Sequence, residues 1–526
     1  MTMKKFILLT LITLFSFQFS ISRAQYGYDA YSSYNSKISL LEGKIENAID
    51  RQQWDLAADY ALEMLDVDEE SAWNVIFEIY DMDFHHALVN HIAADPRRIT
   101  LCKMAYVLSI YDSEKRYDEA LGFCDEISNF FGYNEYLNYY KVKSYYGLGL
   151  ENEATKAYTR LLQINPNALD PEGIFLVGKI LYVTGNTENG LLYMSSVVDS
   201  CNNVDSYLDY AMVCYLQHQY DEAIRYLNEV VKYEKNSRYL RYLNSDDLDK
   251  KAMSYFVKAL CLRGLGLDPN VEATYRQLLA MENHYDTCLF SNIAFRALGQ
   301  TGQADTCLAQ LLRSPQLSAA GHYAATYGLA IAGRNDEALQ QAKLCLDASA
   351  DPLWRHFFTD DPAFSDIKSG VKSYAKKQSK AMAKKYPEKK YTRRTITLPF
   401  FWNAGIMVVT CHVNGIPTYL YFDSGASEVQ LTSAEKDRML NEGILTEDDI
   451  LGTLATTNAD GSLNEDSYVI LKSILLDDLL LTDVRATISD NPQAMLLLGQ
   501  SVLSRFEKIE IDNENFTITL TYREEK

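Results

Sequence analysis

Basic residues are in short supply in this chain of 526 residues, and several common catalytic motifs are missing from it. Asp and Glu number 71 against 50 Lys and Arg, which gives a formal net charge of −21. Because phosphate binding needs a basic surface, this balance argues against nucleic acid as the main partner. The sequence contains no phosphate-binding loop and no G-x-S-x-G, so it does not indicate nucleotide chemistry or an esterase-type serine nucleophile.

Cysteine is present, but not in the arrangement that a zinc site or a disulfide framework needs. The nine cysteines are scattered and odd in number, and C-x-x-C does not occur. Most lie in helical apolar patterns, where cysteine acts as a small hydrophobic residue. His85, His86 and His91 share one helical stretch without acids or cysteines at metal-site spacing. The sequence therefore predicts no metal and no cofactor, and it leaves the pairing of one or two cysteines open.

Long apolar runs are also missing, except near the N-terminus. Lys4 and Lys5 precede an apolar run over residues 6–19, and residues 22–24 (Ser-Arg-Ala) supply a small-x-small cleavage pattern. The run is too short, and too interrupted by Thr, Ser and Gln, for a membrane span. We therefore predict a cleaved signal peptide over residues 1–24, export to the periplasm or the extracellular space, and no transmembrane segment.

A helical pattern repeats from residue 38 to about residue 370. A small residue recurs after a turn, and four successive copies are 34, 36 and 33 residues apart. The positions, with an earlier and a later copy included, are Ala57, Ala120, Ala154, Gly190, Ala223 and Ala338. A helix–turn–helix unit of this length resembles the tetratricopeptide repeat (TPR). About eight to nine such units would form an all-α solenoid, whose concave face usually binds a protein or peptide partner.

The segments on either side of this repeat region differ from it in composition. Residues 25–37 are rich in Tyr, Ser and Gly without periodicity, and they are predicted to form a flexible lead-in. Residues 371–394 carry ten Lys and Arg and form the one basic run of an acidic protein. Helix is favoured up to Tyr386, and Pro387 then ends it. Two interpretations remain open, a solvated capping helix with a linker and an exposed processing site.

After residue 395 the pattern changes from helical to strand-like, and one short stretch carries acid chemistry. An apolar strand over residues 419–422 runs directly into Asp423-Ser424-Gly425. A partly buried carboxylate is costly unless its charge is stabilised. Gly425 allows backbone N–H groups to face the carboxylate, and Ser424 offers a hydroxyl. Alone, this triplet would also fit an ordinary Asx-turn.

The surroundings of the triplet give it a more specific meaning. Upstream, two apolar strands flank Asn414-Gly415, a strong hairpin signal. Downstream, an apolar run ends at Gly499, and a capping box from Thr432 to Glu435 starts the one predicted helix. This order resembles the retropepsin-like aspartic proteases of the single-domain bacterial type, over roughly residues 395–522. The predicted fold is therefore multidomain, with a TPR-like helical solenoid over residues 38–370 and a mostly-β retropepsin-like domain over residues 395–526.

The resemblance implies roles for three groups of residues. Asp423 would be catalytic, Ser424 would brace the active-site loop of a partner chain, Gly425 would let backbone N–H reach the carboxylate, and Ala426 and Ser427 would line the opening. A substrate-covering flap would include Thr457, Asn458, Ala459, Asp460 and Gly461. The catalytic loop would be supported from behind by Leu497, Leu498 and Gly499.

The number of catalytic aspartates points to two chains. Peptide hydrolysis by aspartates needs two carboxylates about 3 Å apart that share one proton. The sequence has no second D-[ST]-G, because residues 286–288 and 305–307 read Asp-Thr-Cys and lie in helical repeats. We therefore predict an exported aspartic endopeptidase that cleaves a polypeptide substrate as a homodimer, with the repeats recruiting substrate or partner. The alternative is a non-catalytic repeat scaffold whose protease-like domain serves dimerisation or peptide binding.

Overall fold

The structure is a computed structural model in which the chain divides into two compact units. It describes residues 28–525, apart from residues 68, 132–133, 166, 168, 233–244, 286, 350, 388–390, 447–448 and 458–462. One unit holds residues 141–388, and the other holds residues up to 140 together with residues 389–526. Among the described residues, every helix is too short or too polar to cross a membrane. The predicted signal peptide, residues 1–24, lies outside the described residues.

The described residues from 28 to 147 are mostly helical, and those up to residue 140 enclose one apolar core. The helices are α1 (Tyr28–Asp50), α2 (Trp54–Val67), α3 (Glu69–Ile76), α4 (Met82–Ala94), a 3₁₀ turn (Pro96–Arg98), α5 (Leu101–Ser113), α6 (Tyr117–Phe131) and α7 (Glu135–Gly147). Ile45, Met64, Trp73 and Phe84 are fully buried in this core.

The predicted flexible lead-in over residues 25–37 is wrong from Tyr28 onward, because α1 already begins there. The amphipathic second half of α1 buries Leu41 and Ile45. Once a helix is nucleated, each further residue adds a hydrogen bond at low cost, so the helix extends into a segment that has no apolar period of its own. Residues 25–27 lie outside the described part of the chain.

The unit of residues 141–388 continues the same helix–turn–helix plan. Its helices are α8 (Glu151–Ile164), α9 (Pro171–Val183), α10 (Thr187–Cys201), α11 (Val204–Leu216), α12 (Tyr220–Lys232), α13 (Ser245–Gly264), α14 (Asp268–His284), α15 (Ser291–Ala297), α16 (Thr301–Arg313), α17 (Ala319–Ile331), α18 (Asn335–Ala348), α19 (Leu353–Asp360), a 3₁₀ turn (Pro362–Phe364) and α20 (Lys368–Lys385).

The recurring small residues lie where the two helices of a pair approach each other. Ala154, Ala223 and Ala338 are fully buried. At Gly190 an added Cβ would lie 2.7 Å from the amide nitrogen of Tyr182 on the paired helix, so only glycine fits there. This close approach explains why a small residue recurs at these positions. The prediction of a TPR-like helical region is confirmed.

In the described part of residues 391–525, the strand domain shows ten strands and two helices. They are β1 (Tyr391–Asn403), β2 (Ile406–Val413), β3 (Ile416–Phe422), β4 (Val429–Thr432), α21 (Ser433–Asn441), β5 (Ile450–Thr457), β6 (Leu463–Leu476), β7 (Leu479–Ser489), β8 (Leu497–Leu498), α22 (Gln500–Leu503), β9 (Lys508–Asp512) and β10 (Thr517–Glu525). The prediction of a mostly-β C-terminal domain is confirmed, although its first strand begins four residues before Thr395.

The strands form one sheet in the order β5-β6-β7-β4-β8-β3-β2-β1-β10-β9. Most neighbours are antiparallel, while β8 runs parallel to β3 and β4 runs parallel to β7. Val413, Leu420, Leu431 and Ile474 are fully buried in the core of this domain. The parallel pairs bring the residues that follow β3 next to the residues that follow β8, and this junction positions the site described below.

Candidate active site

Asp423 lies at the end of β3, where that strand is held by β8. The two strands pair Tyr421 with Leu497 and Phe422 with Leu498. The amide nitrogen of Tyr421 donates to the carbonyl oxygen of Leu496 at 2.8 Å, and the amide of Asp423 donates to that of Leu498 at 3.2 Å. The backbone of the aspartate is therefore fixed by a parallel neighbour from about 75 positions further along the chain.

The turn after β3 folds back onto the carboxylate, as the sequence indicates. The amide of Gly425 donates to Oδ1 of Asp423 at 2.8 Å. Asp423 is half-buried, whereas Ser424, Gly425 and Ser427 are exposed. The turn thus orients one carboxylate oxygen with a backbone donor and leaves the loop surface accessible. The bracing role expected of the Ser424 hydroxyl remains a prediction.

Gly499 is the point at which two backbone segments cross behind the loop. An added Cβ at this residue would lie 2.0 Å from the carbonyl oxygen of Glu428 and 2.8 Å from that of Ala426. Both neighbours are backbone atoms, which cannot swing away as a side chain can. Leu498 beside it is buried in the core. The structure therefore places Leu497, Leu498 and Gly499 behind the Asp423 loop.

The residues after Gly499 bind the loop through hydrogen bonds. The amide of Gln500 donates to the carbonyl of Ala426 at 2.8 Å, and the amide of Ser501 donates to that of Ser427 at 3.1 Å. The Gln500 side-chain amide donates to the carbonyl of Ser424 at 2.7 Å. The Ser501 hydroxyl accepts from the amide of Val429 at 2.9 Å.

Sequence reasoning did not assign Gln500 and Ser501 a role. A signal for their role was available in the sequence, because an amide and a hydroxyl side chain directly follow the apolar run and Gly499. Such groups can hydrogen-bond to the backbone carbonyls and amides of a loop.

A charged layer lies beneath the loop and was also missed. Glu428 Oε1 is 3.5 Å from Nε of Arg485, and the two side chains are only 16% and 9% exposed. Burial raises the pKa of Glu428, although Arg485 and the Ser501 hydroxyl act in the opposite direction. The Arg485 guanidinium also lies over the ring of Tyr468, 5.2 Å from its centroid.

A second arginine reinforces this layer. Arg505 donates to the carbonyl oxygens of Ser501, Thr482 and Asp483 at 3.0, 2.8 and 2.9 Å. Burial lowers the pKa of Arg505 to about 10. Because its guanidinium joins the start of α22 to β7, it holds the residues behind the Asp423 loop against the sheet.

The predicted flap falls on the connection between β5 and β6. These strands are antiparallel neighbours, and their last pair is Thr457 with Leu463. The hairpin that the flap requires is therefore present up to Thr457. Asn458, Ala459, Asp460 and Gly461 lie outside the described residues.

A known protein family matches the part of the chain that contains the Asp423 loop. Residues 409–505 match the family model described as gag-polyprotein putative aspartyl protease. This segment includes Asp423 and its loop at one end and Leu497 to Gly499 at the other. A search of curated proteins gives no match to the chain.

Solved structures resemble the two regions separately. A retropepsin-like aspartic protease from Rickettsia conorii is 19% identical, with 26% of this chain and 98% of that chain covered and a TM-score of 0.21. A TPR protein from Parabacteroides merdae is 12% identical, with 65% and 99% covered and a TM-score of 0.29. A Rap protein complexed with competence and sporulation factor is 13% identical, with 67% and 92% covered and a TM-score of 0.29. Given the family match over residues 409–505 and the loop geometry around Asp423, the C-terminal domain is aspartic protease-like and resembles the retropepsin type, and it follows a TPR-like helical region.

Proposed function

We propose that the protein is an exported aspartic endopeptidase that hydrolyses peptide bonds as a homodimer. The observation that carries this proposal is the construction around Asp423. A carboxylate with a backbone donor at 2.8 Å sits on a turn that Gly499, Gln500 and Ser501 hold from behind. A chain that used this domain only for binding would not need an aspartate oriented in this way.

The chemistry requires a second carboxylate, which another copy of the chain supplies. The sequence has one D-S-G, so two Asp423 side chains would meet across a two-fold axis and share one proton. The ionised carboxylate removes a proton from the attacking water, while the protonated carboxyl polarises the scissile carbonyl. The resulting tetrahedral intermediate breaks its C–N bond as a proton is returned to the leaving amine.

The remaining loop residues have supporting roles in this proposal. Ser424 is exposed and therefore accessible to a partner loop. Ala426 and Ser427 line the opening, and the β5–β6 hairpin closes over the polypeptide substrate with residues 457–461. The helical region recruits the substrate or a partner protein.

Cleavage of an unfolded protein by the purified full chain tests the assignment. Asp423→Asn keeps the shape of the side chain but removes the shareable proton, so it should abolish cleavage and leave the circular dichroism spectrum unchanged. Asp478→Asn is the matched control, since Asp478 is an exposed turn aspartate between β6 and β7. Equal turnover by wild type and Asp423→Asn would reject the protease assignment and favour the non-catalytic scaffold.

The shared-aspartate mechanism makes a separate demand on concentration and pH. Specific activity should rise with enzyme concentration near the dimer dissociation constant, because monomers hold half a site. A single proton shared between two carboxylates gives a bell-shaped rate profile on the acid side of neutral. Constant specific activity from a species shown to be monomeric by ultracentrifugation would contradict this mechanism.

Export has its own test. Mass spectrometry of the protein from fractionated cells should find a mature N-terminus at Gln25 in the periplasmic or extracellular fraction. Recovery of chains that retain residues 1–24, only from the cytoplasmic fraction, would contradict export.

A further inference from the structure

One segment of the unit of residues 141–388 packs across helices that are far from it in the sequence. It comprises residues 351–364, which include α19 and the following 3₁₀ turn, and we call it the groove segment. Its side chains contact the first helices of four helix pairs, namely α7, α9, α11 and α17. A helix that only ended the array would pack on the last pair alone. We call the surface that these first helices present to the segment the groove.

The N-terminal end of the groove segment places a carboxylate in a built pocket. Asp351 Oδ2 is 2.7 Å from Nζ of Lys179, and the Tyr146 hydroxyl donates to Asp351 Oδ1 at 2.8 Å. Lys179 is buried, and its ammonium group also contacts Asp209 at 2.6 Å. The same ammonium group is 5.1 Å from the centroid of the Tyr146 ring. The pocket therefore offers one cation and one hydroxyl to an incoming acidic side chain.

Polar contacts continue along the middle of the segment. Arg355 lies 2.8 Å from Glu151 at the start of α8. The ring of His356 meets that of Tyr182 edge to face, with centroids 5.4 Å apart. Further along, the Tyr215 hydroxyl donates to Oδ2 of Asp361 at 3.0 Å. The contacts with Tyr182 and Tyr215 join the segment to the groove at α9 and α11, and the contact with Glu151 joins it to the neighbouring α8.

Aromatic side chains recur along the segment from Trp354 to Phe364. The ring centroid of Tyr323 on α17 is 5.4 Å from that of Phe358 and 5.7 Å from those of Trp354 and Phe364. Phe358 and Phe364 are 0% and 1% exposed. Burying aromatic side chains removes a large apolar area from water, so these contacts help to attach the segment to the groove.

We propose that the groove is a recognition site for an acidic–aromatic peptide and that residues 351–364 are its resident ligand. The segment presents a carboxylate to a buried cation and then aromatic rings to an aromatic pocket, as a bound peptide would. A partner with the same order of side chains binds by displacing the groove segment. This inference rests on the recruitment role proposed above for the helical region and does not depend on proteolysis.

Competition with a free peptide of residues 349–366 tests the inference. Because the groove segment is part of the same chain, its effective concentration at the groove is on the order of millimolar. The wild type should therefore bind the fluorescently labelled free peptide only weakly. Phe358→Ala/Phe364→Ala in the full chain weakens the resident and should tighten peptide binding at least tenfold in anisotropy titrations. The matched control is Leu192→Ala, which truncates an exposed apolar side chain and should leave binding at the wild-type level. The Asp423→Asn background, applied to every chain, keeps the peptide intact if the protease is active.

Specificity is tested on the peptide, so that the fold of the protein is not disturbed. A peptide with Asp351→Asn lacks the charge for Lys179 and should bind at least tenfold more weakly. Equal binding by both peptides, or equal binding of the native peptide to wild type and double variant, would overturn the proposal.

If the double variant does not fold, the proposal can still be tested on the chain whose groove segment is unchanged. An isotope-labelled peptide at millimolar concentration should accelerate hydrogen exchange within residues 353–360. Unchanged exchange would show that the segment is a fixed part of the core and would also overturn the proposal.

Discussion

Gly499→Ala is the sharpest test of how the loop around Asp423 is held. The backbone of Gly499 has φ −97° and ψ −169°, a conformation that any residue adopts, so alanine would suffer no backbone strain. The added methyl group would nevertheless lie 2.0 Å from the carbonyl oxygen of Glu428. Comfortable contacts between such atoms are about 3.5 Å, so one of the two backbone segments must move by more than about 1 Å.

The cost of that movement follows from the contacts it breaks. Overpacking costs about 1–3 kcal/mol, and the Gln500–Ala426 and Ser501–Ser427 hydrogen bonds contribute about 1 kcal/mol each. The local stability should therefore fall by about 3–5 kcal/mol. Since every 1.4 kcal/mol is tenfold, hydrogen exchange at these amides should accelerate by a factor of about 10² to 10³ or more.

Hydrogen exchange with mass spectrometry, on peptides that cover residues 426–429 and 497–503, measures this effect directly. Gly302→Ala is the control, because a Cβ there meets nothing within 4 Å and α16 should gain about 0.5–1 kcal/mol. Wild-type protection of both peptides in Gly499→Ala would refute the argument that the two backbones cross at this glycine.

Two further predictions concern the helical unit. Gly190→Ala places a Cβ 2.7 Å from the Tyr182 amide nitrogen, so the midpoint of thermal unfolding of this unit should fall by several degrees, and an unchanged midpoint would contradict the close crossing. Burial raises the pKa of Glu282 above 4.5, against the hydrogen bonds from Phe290 and Ser291, so the folded state holds this proton more tightly than the unfolded state. Its contribution to stability is therefore largest below pH 4.5 and is lost as pH rises through the folded pKa. The stability difference between wild type and Glu282→Gln, from urea unfolding, should shrink over that pH window, and a constant difference would contradict it.

Features with a local physical cause could be predicted from the sequence. Asn414-Gly415 forms the expected two-residue turn, with positive φ at both residues and Val413 paired with Ile416. The predicted capping box of Thr432 and Glu435 is present at the start of α21. These features depend on side chains that act within a few residues, so the sequence window contains all of their causes.

Features created by distant contacts left no such signal. Glu428 meets Arg485 only because β4 pairs with β7. The sequence around β4 does not indicate which distant strand will be its parallel neighbour. In the sequence, the groove segment likewise looks like one more helical stretch. Its contacts with Tyr146 and Lys179 join residues 205 and 172 positions apart, so no local pattern indicates them. In the candidate site, the aspartate turn and its glycine were therefore predictable, while the charged layer beneath them was not.

The pairing of β1 with β10 has a mechanical consequence. The ladder is antiparallel and runs from Tyr391 opposite Glu525 to Pro399 opposite Thr517. A pull between the helical region and residue 525 therefore acts on two strand ends that lie side by side. Such a load separates one residue pair at a time, as a zipper opens, so we expect the domain to yield at low force in optical tweezers. A high-force, all-at-once rupture would contradict this expectation.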